Sequence, residues 1–301
     1  RDWKVEYAQK DLKDSGMNDE NIKAILYRPF DIRYTYYTGK SRGFHCMPRN
    51  EVMRHMLKEN LGMVIGRQGL AVGDNQLWNL VTISQSIIDF NLFYRGGGLI
   101  IPLYLYPDEH KEDIFASSER ELNISKELLE RFAKQWQAFQ PEQLFYYVYA
   151  ILYSNQYRER FAQYLRMDFP RIPFTEDYEL FSNLADLGKE LAEIHLLRSP
   201  RLSPLSGRYQ GSGSNDMVEY IKYDEDACTV HINPDKYFEG ITPELWNYHI
   251  GGYQVLYKYL KDRKGKVLAE PIHYCRILTA LSLTTNIQAK IDNVICPLLS
   301  N

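Results

Sequence analysis

The chain has 301 residues, enough for one large domain or two ordinary ones, and its 45 % hydrophobic and 25 % charged content supplies a sizeable folded core. A formal net charge of −3 argues against a protein that coats nucleic acid without selectivity. The four cysteines (Cys46, Cys228, Cys275, Cys296) form no Cys-x-x-Cys pair, which argues against a thiolate metal site or a disulfide framework and fits a reducing cytoplasm.

The opening RDWKVEYAQKDL is charged and amphipathic, has no initiator Met and no signal-peptide pattern, and reads as the lead-in from a preceding segment. Asp19–Leu26 is expected to form a short helix ending before Arg28-Pro29. Strands are expected at Ile32–Tyr37, Gly62–Gly66, Leu80–Ser86 and Gly98–Tyr106, with Pro102 bending the last or placing it at an edge, and a helix at Asn50–Lys58. At Ser125 the apolar period changes to that of helices. SKELLERFAKQW and PEQLFYYVYAILYSNQYRERFAQYL predict two, divided at Gln140-Pro141, and Thr175–Leu197 predicts a third. The longest strongly apolar run, Leu144–Tyr153, is about half the ~20 residues that cross a bilayer, so no membrane partner is expected.

Arg198–Asp216, rich in Pro, Gly and Ser, reads as a loop long enough to be functional. VEYIKYDEDACTVHIN predicts a hairpin over an acidic turn, and Leu245–Leu260 and His273–Val294 predict closing helices. The fold class is therefore α+β: an N-terminal mixed or antiparallel sheet with loops, then a helical subdomain carrying a β-hairpin insertion at 217–233.

Charge is unevenly spread. Residues 27–67 hold eight Lys or Arg against three acids, whereas residues 215–246 hold two against eight. The near-neutral total thus conceals a basic region. Within it, YRPFDIRYTYYTGKSRGFHCMPR (Tyr27–Arg49) interleaves six Tyr or Phe with five Lys or Arg. On pattern alone this is either a solvated strand pair with ordinary cross-strand tyrosine contacts or a surface whose cations meet phosphates while forked groups reach base edges. Planar polar side chains continue through Arg67, Gln68, Asp74, Asn75, Gln76, Trp78 and Arg95, which favours DNA.

Known chemical motifs fail residue by residue. Thr38-Gly39-Lys40-Ser41 resembles the end of a phosphate-binding loop, but Tyr34 stands where its first glycine must be. Asn233-Pro234-Asp235 is half of the element with which amino-methyltransferases hold an adenine; the second Pro and the stacking aromatic are missing, as is any Phe-x-Gly-x-Gly loop for S-adenosylmethionine. Asp235 with Asp262-Arg263-Lys264 satisfies a loose Mg²⁺ nuclease pattern, yet the second part ends a helix-like segment instead of lying on a strand. The seven histidines are isolated, and the tyrosines of 147–164 fall at helical spacing that suits packing better than a stacking platform.

Four long segments taken together are similar to a known family: YRPFDIRYTYYTGKSRGFHCMPRNEVMRHML with IGRQG, then YRERFAQYLRMDFPRIPF, then LWNYHIGGYQVLYKYLKDRKG. In this order, from about Ala24 to about Lys266, they resemble the C-terminal target-recognition region of Type ISP restriction–modification enzymes and related N6-adenine methyltransferase fusions. The resemblance implies a double-stranded DNA recognition domain that directs an upstream methyltransferase and nuclease of the same polypeptide. It implies S-adenosylmethionine, ATP and Mg²⁺ for those upstream parts and no cofactor, metal or catalytic residue in this segment. Residues 1–26 would then link to the methyltransferase, 27–123 would form the β-rich recognition part, and 124–301 the mainly helical part. The DNA contacts expected are Arg33, Lys40, Arg42, His45, Arg49, Arg67, Gln68, Asn75, Trp78 and Arg95, with Arg201 and Arg208 closing from another side. A stand-alone Mg²⁺ nuclease and a protein-docking scaffold are the alternatives.

Overall fold

A computed structural model describes residues 3–67, 76–94, 97–108 and 120–299. The expected positions Gln68, Asn75 and Arg95 lie outside the described residues. Helix α1 (Val5–Asp14) leads into strands β1 (Ile22–Arg28) and β2 (Asp31–Tyr36), which pair antiparallel with Ala24 opposite Tyr34 and Ile25 opposite Arg33.

The helix expected at Asp19–Leu26 is therefore absent. Asn18 accepts a hydrogen bond from the Glu20 amide and caps a single 3₁₀ turn, after which the chain extends. Strand β1 pairs on both sides, with β2 and in parallel with β5 (Ile87–Ile88), and these ladders outweigh local propensity. The helix expected at 50–58 is one turn, α2 (Asn50–Met53), followed by a 3₁₀ turn. A second three-stranded sheet places β3 (Gly62–Ile65) between β4 (Val81–Ser84) and β6 (Leu99–Pro102), both antiparallel to it. Beyond Pro102 the chain bends into β7 (Tyr104–Leu105), paired with β8 (Glu121–Leu122). Among the described residues, the N-terminal part thus holds one mixed and two antiparallel sheets.

Helix α3 (Lys126–Gln135) begins at Ser125, whose hydroxyl accepts from the Leu128 amide. The long helix expected over 141–165 is three pieces: α4 (Pro141–Tyr153), α5 (Asn155–Arg160) and α6 (Ala162–Met167). The first break falls at Ser154, which stays extended, accepts from the Tyr157 amide and donates to Asp292 at 2.7 Å. A carboxylate from a distant helix thus holds the break, a contact no local pattern reveals.

Helix α7 (Tyr178–His195) packs on α4 with Gly188 at the closest approach, where a Cβ would overlap the Tyr146 carbonyl. The predicted loop 198–216 contains β9 (Arg208–Gly211), an edge strand. It joins β10 (Lys222–Asp224), β11 (Thr229–His231) and β12 (Lys236–Glu239) in the order β10-β11-β12-β9, so the expected hairpin is half of a four-stranded sheet.

Over 245–260 the chain is not one helix. It forms α8 (Pro243–Trp246), a hairpin of β13 (His249–Ile250) and β14 (Tyr253–Gln254), then α9 (Val255–Lys261). The hairpin turns on Gly251 at φ +60°, pressed against Phe93, where any side chain would collide. Helix α10 (Pro271–Leu299) packs against α4, α5 and α7.

One hydrophobic core runs from Ile25 through Trp78 and Tyr153 to Leu299, and it crosses between the sheets and the helices. Tyr153 marks the crossing: its hydroxyl donates to the Val81 carbonyl of β4 at 3.0 Å. Among the described residues, no helix is long and apolar enough to cross a membrane.

Candidate nucleic-acid interface

The rings and cations of β1 and β2 hold one another in place. The guanidinium groups of Arg28 and Arg33 lie 3.8 and 4.0 Å from the centroid of the Tyr27 ring. Arg28 pairs with Asp89 at 2.7 Å, and Arg33 pairs with Asp31 at 2.8 Å. Asp31 is 2 % exposed and also receives Arg263, which comes from just beyond α9 and lies 3.5 Å from the Tyr259 ring centroid. Burial alone would raise the Asp31 carboxyl, but the hydrogen bonds and charges of Arg263 and Arg33 overcome it and hold its pKa below the ordinary value. Arg33, expected to contact DNA, is therefore committed to a structural pair, with about a third of its side chain open to solvent.

Asp262, a member of the nuclease pattern, pairs with Lys258 at 2.5 Å and lies 3.7 Å from Arg33. Asp235 sits just before β12 in the four-stranded sheet, and no contact among the described residues joins it to Asp262 or Lys264. No group of three or more His, Cys, Asp or Glu arranged to hold a metal occurs among the described residues.

The loop from Thr38 to Arg49 is organised by Asp11 of α1, itself 3 % exposed. Its Oδ2 accepts from the Thr38 hydroxyl at 2.7 Å and the Phe44 amide at 3.0 Å, and Lys40 Nζ lies 3.6 Å from its Oδ1. The Trp3 indole donates to the Phe44 carbonyl at 2.8 Å. Thr38, the threonine of the loop-like Thr-Gly-Lys-Ser, is thus a tie to α1. Gly43 approaches so closely that a Cβ would meet the Asp11 carboxylate.

This fastening leaves Lys40 and Arg42 exposed, the latter at φ +57° with its guanidinium 5.9 Å from the Tyr7 ring centroid. Arg49, half-buried at φ +44°, donates to the Gly98 carbonyl at 2.8 Å and lies 5.0 Å from the Phe90 ring centroid, which secures the loop to the second sheet. Its burial lowers its pKa from the ordinary arginine value.

Two expected contacts are inside the protein. His45 is 6 % exposed, stands 5.4 Å from the Tyr37 ring, and burial depresses its pKa, against a small upward pull from Asp89. Trp78, for which a wedge against DNA and core packing are equal readings of the sequence, is 1 % exposed and donates its indole N–H to the Gly66 carbonyl at 3.0 Å, the core reading. Neither ring offers a face to a base in this structure.

Arg67 is exposed, donates to the Met167 carbonyl at 3.3 Å and lies 5.7 Å from the Phe169 ring centroid. It borders a groove of about 640 Å³ with Phe161, Tyr164, Phe169 and Arg171. Sequence reading missed this groove. Tyr147, Tyr149, Tyr153 and Tyr157 are buried, as their spacing suggests, but Tyr164 is 66 % exposed. The offset after the break at Phe161 is what turns it outward. Arg201 pairs with Glu190 of α7, and Arg208, on β9, lies 3.8 Å from Glu239. No hydrogen bond or ion pair among the described residues joins these two to the Lys40–Arg42 loop.

The fold and these fastened, outward cations define a mixed α+β binding domain with a basic and aromatic surface on its N-terminal sheet. The chain belongs to the Type ISP C-terminal specificity domain family, whose model matches residues 1–285. That match extends on both sides of the Ala24–Lys266 span in which the sequence resembles the family. Three solved structures share the fold over 92 % of the chain. They are the ATP-dependent Type ISP restriction–modification enzyme LlaBIII bound to DNA (20 % identity, TM-score 0.67), a nuclease-deletion mutant of the Type ISP enzyme LlaGI with a DNA substrate mimic (17 %, 0.63), and a DrdV–DNA complex (21 %, 0.70). The matched region makes up 18, 25 and 28 % of those chains respectively, so this chain spans only a fraction of their length. No curated protein matches it.

Proposed function

We propose that this domain recognises a sequence in double-stranded DNA and thereby directs an adenine-N6 methyltransferase and a nuclease carried upstream in the same polypeptide. The observation that carries the reading is the Thr38–Arg49 loop, which α1 and Arg49 fix from behind while Lys40 and Arg42 remain exposed. Pre-fastened cations suit phosphate contacts that set register, because little side-chain or loop freedom is lost on binding. Membership in a specificity-domain family and the DNA-bound state of the three similar structures support it.

In this reading Lys40, Arg42 and Arg67 meet the backbone, and the exposed edge of Arg33 and the segment after Arg67 approach base edges. Arg201 and Arg208 would add contacts from a separate part of the surface. S-adenosylmethionine, ATP and Mg²⁺ would serve the upstream parts. The target adenine would be turned out of the duplex by the methyltransferase and not by this domain.

Docking to those parts has its own candidate surface. Ile22, Ile32 and Tyr34, at 50, 52 and 77 % exposure, share one face of the β1–β2 ribbon, as its register requires. Transplanting residues 1–301 into a relative of different specificity and mapping the methylated adenine tests the proposal. The modified sequence should follow the transplanted segment, and a site that stays with the recipient would refute it. Loss of methylation on every sequence after Tyr34→Glu, with DNA binding by the domain intact, would assign that face to docking.

A further inference from the structure

The groove of about 640 Å³ lies between Arg67, just past β3, and the segment that follows α6, with Phe161, Tyr164, Asp168, Phe169 and Arg171 on its lining. That segment is fixed from beneath. The buried Tyr157 donates its hydroxyl to the Arg171 carbonyl at 2.8 Å, and the buried Tyr147 donates to the Pro173 carbonyl at 2.8 Å. Arg67 ties the opposite side to it through the Met167 carbonyl. The groove is thus formed before anything enters it, and little ordering is lost on binding.

Its lining combines unpaired cations with an open ring. Arg67 and Arg171 are exposed, and neither has an ion-pair partner among the described residues. The acid beside them, Asp168, is engaged by the chain itself: its Oδ1 accepts from the Phe169 amide at 2.8 Å. Tyr164 differs from the four buried tyrosines that precede it at helical spacing, Tyr147, Tyr149, Tyr153 and Tyr157. Its ring is 66 % exposed, with the Phe161 ring centroid 6.5 Å away.

Unpaired guanidinium groups favour an anion, and an exposed ring beside them favours a flat apolar face. A single strand of nucleic acid offers both in alternation, as phosphates and bases. A duplex does not, because stacking covers the faces of its bases. An acidic peptide supplies the charge without a regular run of flat faces.

We propose that this groove binds an unpaired DNA strand, Arg67 and Arg171 meeting its phosphates and the Tyr164 ring stacking on a base. The choice of DNA rests on the recognition reading above, but the groove takes bases already out of the duplex, which the Lys40–Arg42 loop does not.

The test titrates the 301-residue chain into a fluorescent oligothymidylate of about ten nucleotides and reads anisotropy. The strand should bind, and Tyr164→Ala should weaken it about fivefold or more, as expected for one lost stacking contact, with an unchanged melting temperature. Tyr164→Phe keeps the ring and should bind as the parent does. Arg171→Ala should weaken binding and lower the slope of log K against log salt by about 0.7. An abasic strand of the same length should compete about fivefold less well or worse. No binding of the strand, equal binding by Tyr164→Ala, or equal competition by the abasic strand or by polyglutamate overturns the proposal. Duplex binding separates the two readings, because Tyr164→Ala should leave it unchanged while Arg42→Ala weakens it. A chain that binds duplex through Arg42 but no single strand loses only the groove. One that binds the strand through Tyr164 but no duplex loses only the recognition reading.

Discussion

The two halves of the molecule treat buried charge in opposite ways. In the sheet half Asp31 is sealed between Arg33 and Arg263, and each of these cations also rests on an aromatic ring. In the helical half Arg158 and His195 stand among tyrosines with no ion-paired carboxylate among the described residues. His195 is held by Tyr149 at 2.6 Å and Thr284 at 2.9 Å, and burial, with Arg158 adding to it, pushes its pKa down to about 3. The first arrangement fixes a charged surface in a set geometry. The second packs helices around one buried cation and a neutral imidazole, where introducing a second positive charge is costly.

The comparison breaks most sharply at Asp31. Asp31→Ala leaves two guanidinium groups facing an empty site and should cost about 3–5 kcal/mol in urea unfolding. A loss below about 1 kcal/mol would mean that the sheet half does not depend on the pair. In the helical half the matching test is steric. Gly188→Leu drives a side chain into the Tyr146 carbonyl and should cost about 1–3 kcal/mol or more, read from the same unfolding curves.

Acid separates the halves. His195 has its pKa depressed, so its contribution to stability is complete above its unfolded value of 6.5 and declines as pH falls from there toward about 3. Asp31 is also depressed, from 3.8, so its contribution persists to lower pH and is lost only as pH falls below that value through its folded pKa. Urea midpoints measured against pH should therefore fall first in the His195 window. His195→Gln should flatten the slope between about pH 6.5 and 4 and leave the lower limb in place.

The smallest effects on stability belong to the exposed cations. Arg42→Ala should change unfolding free energy by no more than about 0.5 kcal/mol, and Lys40→Ala, which also removes the ion pair with Asp11, by no more than about 1 kcal/mol. Each should weaken binding to every duplex and reduce the slope of log K against log salt by about 1, measured by fluorescence anisotropy. An unchanged slope for both would show that the loop does not meet phosphates.

Much of the fold was legible where one local signal dominated. Helices α3 and α7 and strand β2 all form near their expected limits. The failures have a common cause. Asp19–Leu26 was expected to be a helix, and from Ile22 onward it is a strand because β2 and β5 bracket it. The run 141–165 was divided at Ser154 by Asp292, 138 residues away, and 245–260 was folded back at Gly251 by Phe93.

The candidate site divides in the same way. Lys40, Arg42 and Arg67 are exposed, as a basic region implies, but the letters could not show that Trp78 and His45 are interior or that Arg33 faces a carboxylate. Arg263 and Asp11 were missed because their partners are remote in sequence.

The sequence by itself determined the α+β class, the family, and the concentration of rings and cations between Tyr27 and Arg67, because composition and short-range periodicity are written along the chain. Only the tertiary structure decided which cations are fastened inward and which face solvent. That choice depends on where Asp31 and Asp89 arrive after folding, and an ion pair has no sequence spacing of its own.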